Sequence, residues 1–327
     1  METNTQTLSA EQAQAAADVL ERIVGNVETV IVGKREPVEL VVMALIARGH
    51  VLLEDLPGTG KTSLVSALAK TIDCGFSRIQ FTPDVMPSDV TGFSIFNQKT
   101  RDFEFRAGSV MSNLVLADEI NRASAKTQSA LLEAMEERQV TVDGVTHHLE
   151  EPFMVLATQN PIEQYGTYPL PEAQLDRFII KLSLGYPRVK EEARIVLGVE
   201  EAKARIRPVA TLEEVRALQA LVKRVHVSEA VALYAVQVAA ATRDMRDCSC
   251  GASPRGSLAL VAMARANALL RGRVYVMPDD IKYLAPYVLQ HRLTLTHEAK
   301  VNGRSATDVV ASVLDSVAVP VVHGDRG

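Results

Sequence analysis

A glycine-rich loop that carries a lysine and three hydroxyl side chains is the first feature of this sequence that could perform chemistry. Residues 54–63 read Glu-Asp-Leu-Pro-Gly-Thr-Gly-Lys-Thr-Ser, after an apolar run at 51–53 and before apolar residues at helical spacing. A strand, a glycine-rich loop and a helix in this order are the context of a phosphate-binding P-loop. Gly58 and Gly60 let backbone N–H groups turn toward a phosphate, and the helix adds its N-terminal dipole.

The side chains of this loop predict a nucleoside triphosphate, ATP, bound together with Mg²⁺. Lys61 can reach the β- and γ-phosphates, and the Thr62 hydroxyl can ligate Mg²⁺. Asp55 departs from the general pattern, which has glycine at that position. The alternative is a glycine-rich turn with a solvated lysine, and the correct order of elements argues against it. The residues expected to bind the nucleotide here are Pro57, Gly58, Thr59, Gly60, Lys61, Thr62 and Ser63.

Two adjacent carboxylates, Asp118 and Glu119, follow a second apolar run at 114–117. Asp118 could hold Mg²⁺ through a water, and Glu119 could orient and polarise an attacking water. A kinase must exclude water and has no need of the second acid. The alternative is a strand end with two solvated acids. Because a P-loop lies upstream, we favour an Mg²⁺-dependent ATP hydrolase.

Asn160 and Arg177 each allow a catalytic and a local interpretation. Asn160 follows the apolar run 153–157 and could contact both the γ-phosphate and the attacking water, although Asn-Pro is also a common turn signal. Arg177 could pair locally with Asp176. It could instead face the γ-phosphate of a neighbouring subunit as an arginine finger. For Arg177 the sequence leaves both interpretations open.

Arg255 lies in the first turn of a predicted helix that Ser253 caps and Pro254 begins. The helix dipole disfavours a cation at that position, so Arg255 needs an anion from outside the helix. A nucleotide phosphate reached from the second domain would supply one.

Composition and charge exclude several classes of protein. The chain has 327 residues, of which 47% are hydrophobic and 23% charged, and a net charge of −5 gives no general attraction to nucleic acid. No apolar run is long enough to cross a membrane, and the first residues lack the features of a signal peptide. Three cysteines cannot form a disulfide framework, so we expect a cytoplasmic protein with Cys248 and Cys250 as spare thiols rather than zinc ligands.

Strand and helix patterns predict an α/β core at 1–185 and a smaller α-helical domain at 186–327. The core begins with a helix capped at Ser9 and contains a parallel sheet. An irregular insert at about 82–112 includes a predicted hairpin at 93–105, and a second hairpin at 139–149 turns on Asp143-Gly144. Predicted helices of the second domain span 212–225, 228–242 and 254–271.

These motifs, in this order, resemble the AAA+ ATPases. More narrowly, they resemble the MoxR family, in the clade that carries a helix-2 insert and includes magnesium chelatase ATPase subunits. The resemblance extends from about Val30 to about Leu293. It rests on the sequences at 53–62, 80–92, 116–123, 157–161 and 170–178. Asp55 is the usual residue in this family, whereas Phe105–Ser109 lacks the prolines that relatives usually carry around the glycine.

The resemblance implies an α/β core with an α-helical lid and a homo-oligomeric ring, commonly a hexamer, with ATP between subunits. It assigns Lys61 and Thr62 to Walker A, Asp118 and Glu119 to Walker B, Asn160 to sensor 1, Arg177 to the arginine finger and Arg255 to sensor 2. Val32 and Gly33 match the segment that packs against adenine.

For function, the resemblance implies an ATPase that remodels a client protein. Such ATPases act with a von Willebrand factor A partner in maturation or cofactor insertion. The alternative is a magnesium-chelatase-type motor subunit. A DNA motor is less favoured because the hairpin tip at 141–146 carries an acid and no lysine or arginine, although Lys99 and Arg101 are mildly basic. A GTPase switch is excluded because the chain has no Asn-Lys-x-Asp sequence.

Overall fold

The computed structural model describes residues 7–160 and 167–320. In that part of the chain the strands are β1 (Val51–Glu54), β2 (Phe76–Gln80), β3 (Gly92–Asn97), β4 (Asp102–Ala107), β5 (Leu114–Asp118), β6 (Gln139–Val142), β7 (Val145–His148), β8 (Met154–Gln159), β9 (Ile180–Leu182), β10 (Cys248–Cys250) and β11 (Thr294–Leu295).

The helices in the same described ranges are α1 (Ala10–Glu28), α2 (Arg35–Ile46), α3 (Lys61–Thr71), α4 (Pro87–Thr91), α5 (Ala125–Glu137), α6 (Glu172–Leu175), α7 (Val189–Arg205), α8 (Leu212–Val222), α9 (Glu229–Ala241), α10 (Pro254–Leu270), α11 (Pro278–Leu289), α12 (His297–Val301) and α13 (Ala306–Ser316).

A five-stranded parallel sheet forms the core, in the order β2-β5-β8-β1-β9. Strands β5 and β8 lie inside it and are buried along almost their whole length, which explains their continuous apolar sequence. Because all five strands run in one direction, the loops that follow them meet at one edge of the sheet, the carboxyl edge. The residues that precede the strands meet at the opposite, amino edge. The predicted α/β core with a parallel sheet is confirmed.

Both predicted hairpins are present. Strands β3 and β4 pair antiparallel from Gly92 with Ala107 to Asn97 with Asp102. Strands β6 and β7 are joined by Asp143 and Gly144, whose φ angles of 51° and 79° suit a tight hairpin turn. The Phe105 ring stacks on the His147 ring at 3.8 Å between centroids, so the two hairpins touch. The insert also contains the short helix α4, which the sequence pattern did not indicate.

The second half of the chain is mainly helical, as predicted, and it packs closely on the core. Helix α1 contacts α2 and α3 of the core and also α10, and α11 packs against β9. Two short strands, β10 and β11, pair antiparallel within this half, which departs from the purely helical expectation. Segments of two or three residues are too short to carry a periodicity that could have revealed them. The division at residue 185 remains a prediction.

In the described residues, no helix is both long and apolar enough to cross a membrane.

Candidate nucleotide-binding site

The P-loop lies between β1 and α3 at the carboxyl edge of the sheet. Gly58 and Gly60 have φ angles of 84° and 93°, in the left-handed region that glycine adopts without strain, and Gly60 caps α3. The Lys61 ammonium donates hydrogen bonds to the carbonyl oxygens of Asp55 and Leu56, both at 3.1 Å. The curled backbone and the helix N-terminus form a cradle suited to phosphate.

This loop lines a cavity of about 420 Å³, which we call the P-loop cavity. It is lined by Asp55, Pro57, Gly58, Thr59, Gly60, Lys61, Thr62, Ser63, Arg78, Gln80, Asp118, Glu119, Thr158 and Asn160. The structure therefore brings the predicted Walker A residues, the two predicted Walker B acids and Asn160 into one place.

Asp55, which replaces the first glycine of the general motif, anchors the loop to the end of the core. Its buried carboxylate accepts hydrogen bonds from the Ser183 hydroxyl at 2.7 Å and from the backbone N–H groups of Leu184 and Gly185 at 2.5 and 3.0 Å. Those residues directly follow β9, the neighbour of β1 in the sheet. Asp55 thus fixes the start of the P-loop against the segment that leads into the lid.

Neighbouring strands β5 and β8 position the two acids. The Thr158 hydroxyl donates to Asp118 Oδ1 at 2.7 Å and accepts from the Glu119 backbone N–H at 2.8 Å. Glu119 itself has φ 56° and ψ 51°, a left-handed conformation that a non-glycine residue adopts at a cost. This turn separates the directions of two adjacent side chains, so each acid can take a different role.

Arg78 and Gln80 hold these acids and were missed by the sequence analysis. Arg78 Nη2 lies 2.6 Å from Asp118 Oδ2, and Gln80 Nε2 donates to Glu119 Oε2 at 2.9 Å. Arg122 Nη1 also contacts Glu119 Oε2 at 2.9 Å. Arg78 and Gln80 lie two positions apart on β2, so they share one face of the strand that pairs with β5. That spacing was the signal available in the sequence.

The donor set of the P-loop cavity fits Mg²⁺. Asp118 supplies carboxylate oxygens and Thr62 a hydroxyl oxygen, and Mg²⁺ prefers such hard oxygen ligands together with phosphate oxygens. Asn160 comes directly after β8, beside the P-loop strand β1, and is buried.

A second, smaller cavity of about 180 Å³ adjoins the P-loop helix. It is lined by Val30, Thr62, Ser63, Ser66, Ala67, Lys70 and Ile206, so it continues from the P-loop cavity through Thr62 and Ser63. Its position and its apolar members suit a base. Val30 lines it, whereas the sequence analysis named Val32 and Gly33. Gly33 has φ 74° and lies against the Glu191 carboxylate of α7, where a Cβ would come within 2.1 Å.

Arg177 and Arg255 lie in neither of these cavities. They line a third pocket of about 360 Å³, which we call the arginine pocket. Its lining residues are Arg48, Gly49, His50, Met135, Glu136, Arg138, Asp176, Arg177, Ile179, Arg255, Leu258, Ala259, Ala262 and Arg292. In the described residues it shares no lining residue with the P-loop cavity.

The arginine pocket lies at the amino edge of the sheet. Arg48 to His50 immediately precede β1, Ile179 immediately precedes β9, and Arg177 lies two positions before Ile179. The P-loop follows β1, whose four residues span roughly 13 Å at the usual rise of a strand. A sheet strand therefore separates both arginines from the P-loop of their own chain.

The contacts of Arg177 and Arg255 differ from those considered in the sequence analysis. Arg177 pairs not with Asp176 but with Glu136, with 2.8 Å between Nη2 and Oε2. The anion that Arg255 contacts is the same carboxylate, with 2.5 Å between Nη2 and Oε1. Glu136 lies near the end of α5 and carried no recognisable motif.

Asp176 instead joins the helical half of the chain to the core. Its carboxylate accepts from the Ser253 hydroxyl and from Arg292 Nε, both at 2.7 Å. Burial lowers the pKa of Arg292, although Asp176 opposes that shift. Ser253 is the N-cap of α10, as predicted, so Asp176 fixes the start of the helix that carries Arg255.

His50 forms part of the inner wall of the arginine pocket. Its ring accepts from the Val155 backbone N–H at 2.9 Å through Nδ1 and lies 3.1 Å from the Met135 carbonyl through Nε2. Burial, and after it the charge of Arg138, lowers the pKa of His50 to about 3. A neutral His50 therefore connects β8 to the end of α5, just before Glu136.

Cys248 and Cys250, the spare thiols of the sequence analysis, lie on β10 and are not disulfide-bonded. In the described ranges, no group of three or more histidine, cysteine or acidic side chains could hold a metal ion.

Comparisons with known proteins agree with this geometry. A family model described as "ATPase family associated with various cellular activities (AAA)" matches residues 50–180, and one described as "AAA lid domain" matches residues 240–313.

Relatives match over almost the whole chain. A Bacillus subtilis protein with the name "Uncharacterized protein YeaC" is 53% identical. The match covers 93% of this chain and 95% of that protein. Chaperone MoxR1 of Mycobacterium tuberculosis is 44% identical, and the match covers 96% of this chain and 86% of that protein. The crystal structure of a candidate ATPase from Cytophaga hutchinsonii superposes with a TM-score of 0.89 and a sequence identity of 38%. The match covers 95% of this chain and 98% of that chain. The chain belongs to the MoxR family of AAA+ ATPases.

Proposed function

We propose that this protein hydrolyses ATP with Mg²⁺ at sites shared between adjacent subunits of a ring. The observation that carries the proposal is the division of the site. The P-loop cavity holds the residues for phosphate, Mg²⁺ and water. The two arginines that the family resemblance assigns to catalysis lie in a separate pocket at the opposite edge of the sheet.

Within the P-loop cavity each residue has a distinct task. The backbone N–H groups from Gly58 to Lys61 bind the β-phosphate, and Lys61 exchanges its loop carbonyls for phosphate oxygens. Bound Mg²⁺ would neutralise developing charge on the phosphates. Thr62 and Asp118 would hold it.

Glu119 accepts the proton of the attacking water, and Asn160 orients that water toward the γ-phosphate. Gln80 and Arg122 both contact Oε2 of Glu119, so the proton would go to Oε1 or would require these contacts to loosen.

Arg177 and Arg255 complete the site of the neighbouring subunit. Phosphoryl transfer spreads negative charge over the γ-phosphate oxygens, and guanidinium groups at that position stabilise the charge. A surface with the P-loop cavity on one side and an arginine pocket on another makes head-to-tail contacts, which close into a ring when the rotation permits. The family resemblance supports a homo-oligomeric ring, commonly of six subunits.

Mixed rings test this division. Arg177→Ala and Lys61→Ala should each abolish turnover alone, and mixing them should restore it at interfaces where Lys61→Ala donates the arginines to an intact P-loop. A mixture of Lys61→Ala with Glu119→Gln is the matched control, because both defects affect the P-loop side and no active interface forms. Absence of rescue in rings of confirmed mixed composition would refute catalysis across the interface.

We infer that hydrolysis drives remodelling of a client protein with a von Willebrand A partner. The chaperone name of the Mycobacterium tuberculosis relative supports this output. So does the β3–β4 hairpin, which exposes apolar side chains away from the P-loop cavity. Phe103 is 69% exposed, and its ring meets the Phe96 ring edge-on at 5.4 Å. A surface of this kind suits contact with protein rather than with phosphate.

Deleting the hairpin tip at 97–101 tests the output. Basal ATPase activity should persist, and stimulation by a co-encoded von Willebrand A protein should disappear. Stimulation of the intact protein by DNA, and none by that protein, would instead favour a DNA motor.

A further inference from the structure

The arginine pocket gathers five arginines, Arg48, Arg138, Arg177, Arg255 and Arg292, around two acids, Glu136 and Asp176. Like charges this close repel one another unless an anion lies between them. Three of the five bind other groups, and the first of them, Arg48, pairs with Glu151. Arg138 donates to the carbonyl oxygens of Arg48 and Phe153, and Arg292 is buried against Asp176. Arg177 and Arg255 are the two that meet at Glu136.

Glu136 uses one carboxylate oxygen for each arginine. Oε2 binds Arg177 of the core at 2.8 Å, and Oε1 binds Arg255 of the lid at 2.5 Å. A planar anion bridging two guanidinium groups resembles the way two oxygens of a terminal phosphate would bridge them.

Asp176 cannot substitute for Glu136 in this role. Its two oxygens already bind Arg292 and Ser253. Asp176 thus fixes the backbone that leads into Arg255, and Glu136 fixes the end of the side chain. Arg177 Nε is buried without a hydrogen-bond partner in the described part of the chain, so its contact with Glu136 orients the group.

Stability alone does not account for this bridge. The three side chains are 29%, 50% and 35% exposed for Arg177, Arg255 and Glu136. Ion pairs at that exposure contribute little to folding, because water screens them. The bridge therefore affects geometry more than the free energy of unfolding.

We propose that Glu136 is a positioning residue that holds Arg177 and Arg255 side by side as one anion-binding pair, ready for the terminal phosphate of a neighbour's ATP. The inference rests on the proposed function, in which these arginines act across the subunit interface. When the phosphate enters, its oxygens replace the Glu136 carboxylate at the guanidinium N–H groups of Arg177 and Arg255 that the carboxylate contacts. Without Glu136 the two cations separate, and their alignment must be recovered during each turnover.

The test is the steady-state kinetics of Glu136→Gln, which keeps the size of the side chain and removes its charge. The kcat should fall about ten-fold, because preorganised charge at the phosphate is lost, while the KM for ATP stays within about two-fold. Glu136→Asp retains a carboxylate but is shorter, so it should recover part of the loss. Glu137→Gln, at the exposed next position of α5, is the matched control and should behave as wild type.

Two further measurements separate positioning from a general structural effect. In an Arg255→Ala background, Glu136→Gln should lower kcat by a much smaller factor than it does in the wild type, because the pair of arginines no longer exists. Mixing Glu136→Gln with Lys61→Ala should restore turnover, because Lys61→Ala then donates an intact arginine pocket.

The outcomes distinguish this inference from the proposed function. Rescue of Arg177→Ala by Lys61→Ala, with wild-type kcat in Glu136→Gln, would overturn the role of Glu136 and leave the shared site in place. A fall in kcat with an equal rise in KM, or an undiminished effect in the Arg255→Ala background, would also overturn it. Failure to rescue Arg177→Ala would overturn both.

Discussion

The P-loop cavity and the arginine pocket lie at opposite edges of one parallel sheet and carry opposite charges on their functional groups. In the P-loop cavity, two carboxylates await cations, and Arg78 and Arg122 of the same chain bind them. In the arginine pocket, two guanidinium groups await an anion, and Glu136 binds both. Each pocket thus binds, with its own side chains, the groups that ligands would meet in the proposed shared site: Mg²⁺ and the attacking water at the acids, and the terminal phosphate at the arginines.

In the proposed shared site, neither pocket is complete by itself. The P-loop cavity can bind and position ATP, but its cations near the acids compete with Mg²⁺ and with the attacking water. The arginine pocket can stabilise negative charge, but it has no phosphate cradle. ATP and Mg²⁺ bound between two subunits would replace both sets of internal contacts, which would link assembly to activity.

Substitutions in the P-loop cavity should have the largest effect on ATP hydrolysis. Glu119→Gln should still bind ATP, because the P-loop is intact. It should lower kcat by at least about 100-fold, because no group accepts the proton of the attacking water. Lys61→Ala should instead lose ATP binding. Nucleotide binding and phosphate release, measured on both variants, separate these effects. Near wild-type turnover in Glu119→Gln would contradict the assignment of Glu119.

The two pockets also differ in how far the sequence predicted them. The P-loop residues are contiguous, and Asp118 and Glu119 are adjacent at a strand end, so short-range chemistry and spacing identify them. The arginine pocket joins residues from 48 to 292, and nothing local places Glu136 beside Arg177 and Arg255. Local sequence singled out the two arginines one by one, and the family resemblance assigned their roles, but only the packing of the lid on the core puts them together.

The same distinction holds for the fold. Buried strands such as β5 and β8 were predicted closely because parallel sheets require continuous apolar runs. Strand β9 covers only 180–182, since the neighbouring residues Ile179 and Leu184 donate their backbone N–H groups to His50 and Asp55. Very short strands such as β10 depend on tertiary pairing and leave no periodic signal.

Asp55 offers a test of how the P-loop cavity is held to the rest of the chain. Asp55→Gly restores the general motif but removes three hydrogen bonds and leaves the Leu184 and Gly185 N–H groups without their acceptor. We expect a loss of about 3 kcal/mol in the free energy of unfolding, measured by urea denaturation. Asp55→Asn keeps one acceptor oxygen and should lose less. Unchanged stability in Asp55→Gly would mean that water replaces the carboxylate.

His50 offers a corresponding test at the arginine pocket, through pH. Its pKa is lowered to about 3 in the folded state, whereas an unfolded histidine has the ordinary value of 6.5. Below pH 6.5 the unfolded chain binds a proton that the folded chain does not, so stability falls as the pH decreases toward 3. At pH 5 this costs about 2 kcal/mol relative to pH 7.

The histidine contribution can be isolated by substitution. His50→Gln should show a pH dependence between 7 and 5 that is smaller by about 2 kcal/mol, even if its stability at pH 7 is lower. Denaturant unfolding of both proteins at the two pH values gives the difference. An identical pH dependence would mean that His50 is protonated in the folded protein.

Arg78 should give the smallest effect and the sharpest comparison with Glu136, because both residues bind charges that a ligand would otherwise bind. Arg78 Nη2 lies 2.6 Å from Asp118 Oδ2, and the arginine side chain is 46% exposed, so water screens the pair. Mg²⁺ bound at Asp118 must displace this contact. Removing the arginine should therefore lower the Mg²⁺ concentration needed for half-maximal hydrolysis by about two- to five-fold.

Titration of ATPase rate with Mg²⁺, at saturating ATP, compares Arg78→Ala with the wild type and with Arg78→Lys. Arg78→Lys keeps a cation near Asp118 and should remain close to wild type, since the competition is electrostatic. A higher Mg²⁺ requirement in Arg78→Ala would show that Arg78 supports the metal site instead of competing with it. The two pockets would then differ, because only the arginine pocket would hold a side chain, Glu136, that the ligand displaces.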